Sequence, residues 1–324
     1  MVSGTSSEHF LRRIAGNIGL CFLGILLAIG TGEALVRIST AGQQNYVVEM
    51  WRYALLLKRP SDDPAIGHEH VPNRTARLQG VDISINSLGM RGPEPKSDAR
   101  RRIIIIGDSL ALGWGLSDTE SLRGQLQAAL PPDVDVVNDG VGNMNMSQIA
   151  MHWTRTSANL SADTVIILTS FRAPVLQPAP TRNPILRNSA LGAILFTYGA
   201  TLLSGASGRE AFVESVRKEW TKGPGAWEMH KGFDRIAELA RAKGQHVILA
   251  AVPEMHDLQN YPFDFITNIL RAEAARQGWT FLDLRLTLLN KPAEDYWVTD
   301  QDVHLNAEAT RLIAARLLPL LSHD

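Results

Sequence analysis

Ser109, His304 and Asp302 are the residues on which chemistry falls most naturally. A serine hydroxyl is a weak nucleophile at neutral pH until a base within about 3 Å takes its proton, and an imidazole needs a carboxylate to fix its tautomer and stabilise the imidazolium. The sequence offers both halves: Gly107-Asp108-Ser109-Leu110, and near the other end Asp300-Gln301-Asp302-Val303-His304-Leu305-Asn306. Of the nine histidines, His304 alone stands next to both an acid and a terminal helix. Triads are defined by roles and geometry, so serine early and acid and base late is an acceptable chain order. The expected chemistry is acyl transfer through a serine ester. Taken alone, Gly-Asp-Ser reads equally well as a turn with a helix N-cap.

The elements that must bring these residues together are legible around them. Ile103 to Ile106 are four consecutive β-branched residues bounded by Arg101-Arg102 and Gly107, the pattern of a strand buried on both faces of a parallel sheet. A serine two residues past such a strand sits in the crevice outside the carboxyl ends, where α/β folds hold ligands. Helix over 121–130, strand over 134–138, helix over 146–160 and strand over 164–170 follow. After a gap come helix 233–243, strand 246–252, helix 263–277, strand 280–284 and a last helix over 307–321. This alternation predicts an α/β fold, a three-layer α/β/α sandwich with a mostly parallel sheet and right-handed crossovers. Residues 173–231 break the pattern and are too long for an ordinary loop. With Pro174, Pro178, Pro180, Pro184 and an apolar run at 191–203, they read as an insertion bordering the site's mouth. A lid, a membrane-contacting hairpin and a buried helix are all compatible with that run.

The motifs resemble those of the GDSL or SGNH esterases and lipases. Gly107-Asp108-Ser109-Leu110 matches that family's nucleophile block and Asp302-Val303-His304-Leu305-Asn306 its terminal block. The upstream Asn86-Ser87-Leu88-Gly89-Met90-Arg91-Gly92, followed by a basic spacer, is similar to membrane-anchored members; the likeness runs from about residue 80 to the end. The resemblance implies an SGNH-hydrolase-like, flavodoxin-like domain with Ser109 as nucleophile and His304 as base. The commonest acid position, three residues before the histidine, is Gln301 here. Asp302 matches an Asp-x-His-Leu-Asn variant and reaches the ring if the segment is extended, whereas Asp300 is favoured if it is helical. The family's oxyanion hole implies donors from Ser109 and from Gly142 or Asn143 in Asn138-Asp139-Gly140-Val141-Gly142-Asn143. The third block, Thr169-Ser170-Phe171-Arg172, lacks the usual Gly-x-Asn-Asp. Its missing donor comes from Asn143 or Asn145, or is replaced by Arg172 as a charge or substrate contact, or activity has been lost. Asn143 equally suits a left-handed turn, and Arg172 a surface ion pair.

At 324 residues, 45% hydrophobic and 20% charged, the chain holds one large core with small appendages, and a net charge of −1 gives no reason to expect nucleic acid. The single cysteine, Cys21, excludes an intramolecular disulfide and thiolate metal sites, and Leu20 before it argues against lipidation. His68-Glu69-His70 has no visible third ligand, so no metal or other cofactor is expected. The uncharged run from Ile14 to Gly32, 19 residues, is about 28 Å long as a helix and matches a bilayer core of about 30 Å. Arg12 and Arg13 before it place the N-terminus in the cytoplasm and export the rest, to the periplasmic or extracellular side of the inner membrane. A cleaved signal peptide is the competing reading.

The expected organisation is therefore tail and anchor over 1–37, a juxtamembrane helix and arm over 38–100, and the catalytic domain over 101–324. Residues 38–60, with Tyr46, Trp51 and Tyr53 among basic side chains, suit the membrane interface or a helix packed on the domain, and are expected to carry little chemistry. Three functions fit these residues: a serine esterase acting on an acylated lipid, glycan or envelope polymer; an O-acyltransferase to a sugar hydroxyl supplied by a multi-span membrane acyl donor; and a non-catalytic binding component.

Overall fold

The computed structural model describes residues 5–176, 187–203 and 208–321. Pro178, Pro180 and Pro184 of the expected insertion lie outside the described residues. The core is built on the isoleucine strand β5 (Arg101–Gly107), whose side chains alternate between two faces. Ile104 and Ile106 join the core on one side, and Ile103 and Ile105 the core on the other. Four strands pair with it directly or in turn, β6 (Val134–Gly140), β7 (Thr164–Thr169), β8 (His246–Ala251) and β9 (Thr280–Asp283), in the order β6-β5-β7-β8-β9 and all parallel. That order reverses direction at β5, and the carboxyl ends flanking this switch form the ligand crevice of doubly wound sheets.

Helices cover both faces. Leaving aside the N-terminal pair, α1 (Thr5–Ser39) and α2 (Tyr46–Leu56), the chain continues through the single turn α3 (Ser109–Leu112), α4 (Leu122–Ala129) and α5 (Met146–Arg155). Then come α6 (Ala190–Leu203), α7 (Arg209–Thr221), α8 (Pro224–Ala242), α9 (Asp264–Gln277) and α10 (Ala307–Leu321). α4 and α10 pack on Ile103 and Ile105; α5, α7, α8 and α9 pack on the opposite face. The three-layer α/β/α sandwich is thus the observed architecture. Two helix boundaries differ clearly from expectation. α8 starts nine residues before 233, because Pro224 occupies its first turn, where a missing N–H costs nothing. The helix expected over 146–160 ends at Arg155 and tightens into a 3₁₀ turn at Ser157–Asn159.

The segment before β5 lies over the nucleophile region. α2 and the hairpin of β3 (Arg74–Leu78) and β4 (Val81–Ile85) share a third core of Met50, Tyr53, Leu57, Leu78, Ile83 and Ile85 with Leu112 and Trp114 of the nucleophile region. β1 (Lys58–Pro60) and β2 (His68–His70) form a second hairpin. α1 contains a stretch, Arg12–Ser39, long and apolar enough to cross a membrane, and none of it is buried.

Candidate active site

The nucleophile turn is shaped by Gly107 and Asp108. Gly107 ends β5 at φ +156°, and a Cβ there would lie 2.6 Å from the Leu168 carbonyl oxygen and 2.8 Å from Ala111 Cβ, so only glycine fits. Asp108 is the N-cap of α3: one carboxylate oxygen accepts from the Leu110 amide at 3.0 Å and the other from the Ser170 hydroxyl at 2.7 Å. The far end of the turn is held by Arg91, almost fully buried, whose guanidinium donates to the carbonyls of Leu112, Gly113 and Leu116. Burial lowers the Arg91 pKa to about 10, still far above neutrality. Ser109 thereby stands at the carboxyl end of β5, beside the switch point.

Its hydroxyl donates to His304 Nε2 at 2.8 Å. His304 and Asp302 lie on β11 (Asp302–Leu305), which pairs with β10 (Trp297–Thr299). Because the segment is extended, residues two apart share a face, and the Asp302 carboxylate accepts from His304 Nδ1 at 2.6 Å and from the His304 amide at 3.1 Å. Its second oxygen accepts from Trp114 Nε1 at 2.7 Å and Gln79 Nε2 at 2.8 Å. Burial opposes ionisation of Asp302, yet the hydrogen bond and charge of His304, with the Trp114 indole, outweigh it and hold the carboxyl below its ordinary range. Gln301 and Asp300 are exposed at the turn between the two strands, and the imidazole's hydrogen-bond partners are Ser109 and Asp302 instead.

The imidazole lies between two rings, Tyr46 with centroids 5.5 Å away and Trp114 at 6.5 Å. Burial, then the charge of Asp302, pushes the Tyr46 pKa up to about 12, so Tyr46 stays neutral beside the base. A narrow pocket of about 10 Å³ opens at Ser109 and His304, walled by Leu110, Trp114, Leu116 and Leu305.

Two expectations about oxyanion donors are corrected. The Gly142 amide is engaged away from the pocket, donating to the Tyr53 hydroxyl at 3.0 Å. The network behind it fixes that direction. His70 Nδ1 donates to the Gly89 carbonyl at 3.0 Å, leaving Nε2 to accept from the Tyr53 hydroxyl at 2.7 Å, so the Tyr53 oxygen accepts the Gly142 N–H. The Gly142 carbonyl receives Lys58 Nζ at 3.1 Å and His68 Nε2 at 3.0 Å. Burial lowers the His70 pKa to about 3 and the His68 pKa to about 4, so both rings are neutral, and it lowers Lys58 to about 7. His68 and His70 are thus braces of the second-block loop. Asn145 is also occupied: its side chain forms a capping box with Gln148 at the start of α5 and donates to the Val175 carbonyl. Asn143 remains. It adopts the left-handed conformation at φ +64°, and neither its amide nor its side chain bonds to any described group. The Ser109 amide is likewise free among the described residues.

The third block supplies no asparagine and its residues have other work. Thr169 Oγ1 is buried without a partner among the described residues, Ser170 holds Asp108, and Phe171 packs edge-on against Phe212. Arg172 is exposed, forms no ion pair among the described residues, and its charge acts on Tyr46. From residues 38–60, Tyr46 packs beside the base and Tyr53 takes the Gly142 amide, a structural part in the site. Neither they nor Gln79 announce themselves in sequence, because their partners lie from 89 to 258 positions away. Trp114 was the one detectable addition, five residues after the nucleophile.

Ser109, His304 and Asp302 thus stand in hydrogen-bonded series at the switch point of a parallel α/β sheet, with a nucleophile, a base and an orienting acid in mutual reach. No family model matches the chain, and no curated protein matches it. Among solved structures it is similar to TesA, with 14% identity over 68% of this chain and 98% of that one and a TM-score of 0.46. It is similar to Axe2, an acetylxylan esterase from Geobacillus stearothermophilus, with 13% identity over 70% and 96% and a TM-score of 0.45. A member of the lipolytic protein G-D-S-L family from Veillonella parvula has 18% identity over 69% and 100%, with a TM-score of 0.42.

Proposed function

We propose that the protein is a membrane-anchored serine ester hydrolase acting through an acyl-serine intermediate on an ester of an envelope lipid, glycan or polymer. The observation that carries this reading is the 2.8 Å hydrogen bond from the Ser109 hydroxyl to His304 Nε2, with Asp302 2.6 Å from Nδ1. In the first step His304 Nε2 takes the Ser109 proton as Oγ bonds to the ester carbon. Asp302 stabilises the imidazolium, and the amides of Ser109 and Asn143 receive the developing oxyanion. The imidazolium returns the proton to the leaving alkoxide as the ester bond breaks. Water, deprotonated by His304, then attacks the acyl-serine, releasing the carboxylic acid and restoring Ser109. α1 serves as the anchor, with its N-terminus cytoplasmic and the domain exported.

An O-acyltransferase is the second reading, favoured by Arg172, an exposed cation beside the site that suits an anionic acceptor. The test is labelling of the full-length protein in detergent with a fluorophosphonate probe, alongside release of 4-nitrophenol from its acetate. Wild-type protein is expected to label and to hydrolyse, and Ser109→Ala to do neither. Labelling with transfer to a glycan acceptor but negligible hydrolysis selects the transferase; absence of labelling in the folded wild type refutes both.

A further inference from the structure

α6 (Ala190–Leu203) has no charged residue along its whole length, ALGAILFTYGATLL. A helix apolar all round is stable only inside a large core or in lipid. α6 is in no such core: Leu195 is 62%, Phe196 76% and Tyr198 53% exposed. Its length, roughly 21 Å, is too short to cross a bilayer of about 30 Å, which leaves a helix lying at or partway into one leaflet.

What it adjoins points the same way. The start of α6 is bonded to the end of α1. The Glu33 carboxylate accepts from the Ser189 hydroxyl and from the amides of Ala190 and Leu191, each at 2.9 Å. Ser189 in turn accepts from the Gly192 amide at 2.9 Å, so the first-turn donors that a helix leaves open are satisfied within the protein. In lipid no water would do this, and unsatisfied amides would bar the helix from entering. Gly32 allows the close approach: a Cβ there would stand 3.1 Å from the Leu191 side chain. Two further bonds fasten the preceding loop at the same level, Arg37 to the Asn188 carbonyl and Trp51 Nε1 to the Arg187 carbonyl, both at 2.8 Å. A tryptophan and an arginine beside a span are the side chains that settle at the interface between lipid and water. The exposed apolar surface of α6 therefore continues that of α1, where Ile25, Leu27 and Ile29 are all more than half exposed.

We infer that α6 is a second, non-spanning membrane element, embedded beside α1 in the leaflet facing the folded domain and held there by Glu33. The inference rests on α1 being a retained anchor. It makes the chain a two-point membrane protein: the anchor fixes position, and α6 presses the rim of the insertion, which leaves β7 beside the site, onto lipid. The site would then be served by ester groups that lie in or just above that leaflet.

The experiment uses full-length protein in phosphatidylcholine–phosphatidylglycerol vesicles. With Cys21→Ser as background, single cysteines at Phe196→Cys, Leu23→Cys and Leu286→Cys carry an environment-sensitive fluorophore, and the acyl chains carry bromine as a contact quencher. Leu286 is 68% exposed on the domain and serves as the aqueous control. The expected result is blue-shifted emission quenched by brominated lipid at 196 and at 23, and neither at 286. Quenching at 196 should fall in Glu33→Ala while quenching at 23 persists. Loss of quenching at 23 refutes the anchor itself. Quenching at 23 with position 196 in water overturns the inference about α6 alone. So does a blue shift at 196 without bromine quenching, which would mean a protein partner covers it.

Discussion

Replacing Asp302 by asparagine exchanges one acceptor oxygen for a donor NH₂ at a carboxylate that only accepts. Its four donors are His304 Nδ1, the His304 amide, Trp114 Nε1 and Gln79 Nε2. If the new nitrogen takes the Oδ2 place, it faces the Trp114 and Gln79 N–H groups, two donors against one. If it takes the Oδ1 place, it opposes the His304 amide and donates to Nδ1, which drives the ring proton to Nε2. The nitrogen that must accept from Ser109 is then itself protonated. Burial leaves no water to relieve either arrangement, and an unsatisfied buried donor costs about 1–3 kcal/mol. The second orientation keeps more bonds, so the wrong tautomer is the expected outcome. Turnover should fall by about 10⁴ with little change in KM, the size of effect an acid-to-amide change has in a serine protease. Gln79→Met is the graded comparison. It removes one of four donors and leaves the charge, so a loss of roughly tenfold, about 1.4 kcal/mol, is expected. The assay is hydrolysis of 4-nitrophenyl acetate, with thermal unfolding followed in parallel. An Asp302→Asn enzyme within tenfold of wild type, folded normally, would refute the assignment of Asp302 as the orienting acid.

Two other outcomes follow from the geometry. Asn143→Gly keeps the left-handed backbone and its free amide but deletes the side chain, so activity near wild type is expected if the amide is the donor; a loss of about 10²–10³ in kcat would move the role to the carboxamide. Stability should depend on pH through the cluster behind Gly142. Burial lowers Lys58 from 10.5 to about 7, so between those values the unfolded chain holds a proton that the folded one has released, and stability rises with pH. His70 is lowered from 6.5 to about 3 and His68 to about 4, so stability is lost as pH falls below 6.5. Urea unfolding across pH 4 to 10 measures both limbs, and Lys58→Met should flatten the upper one.

The sheet was readable because its physics is local. Four isoleucines between charge and glycine admit few other conformations, and the spacing of Asp302 and His304 makes sense once the segment is extended. The helix over 224–242 exceeds the expected 233–243 because its first turn, Pro-Gly-Ala-Trp, carries weak helical periodicity and is fixed by packing, with Gly225 against the Pro174 carbonyl. The supports of the site were harder still. Gln79 looks like a turn residue, and its bond to Asp302 exists only because α2 accepts its amide through Glu49 and presents the hairpin to the domain. Gly142 matched a motif position, yet nothing nearby in sequence shows that a tyrosine 89 residues earlier takes its amide. Motif letters carry the reacting groups; the environment that tunes them comes from tertiary contacts with no periodic signature.

Glu49, Gln79, Asp302, His304 and Ser109 form one unbroken line of hydrogen bonds running from the second helix to the nucleophile. Its members span residues 49 to 304, so the line closes only when the helix ahead of the sheet and the strand that follows it are both in place. A chain with α2 undocked or β11 unpaired can still align the five parallel strands, yet its imidazole would lack these orienting contacts. The contact at Ser109 thus reports on folding far from it in the sequence.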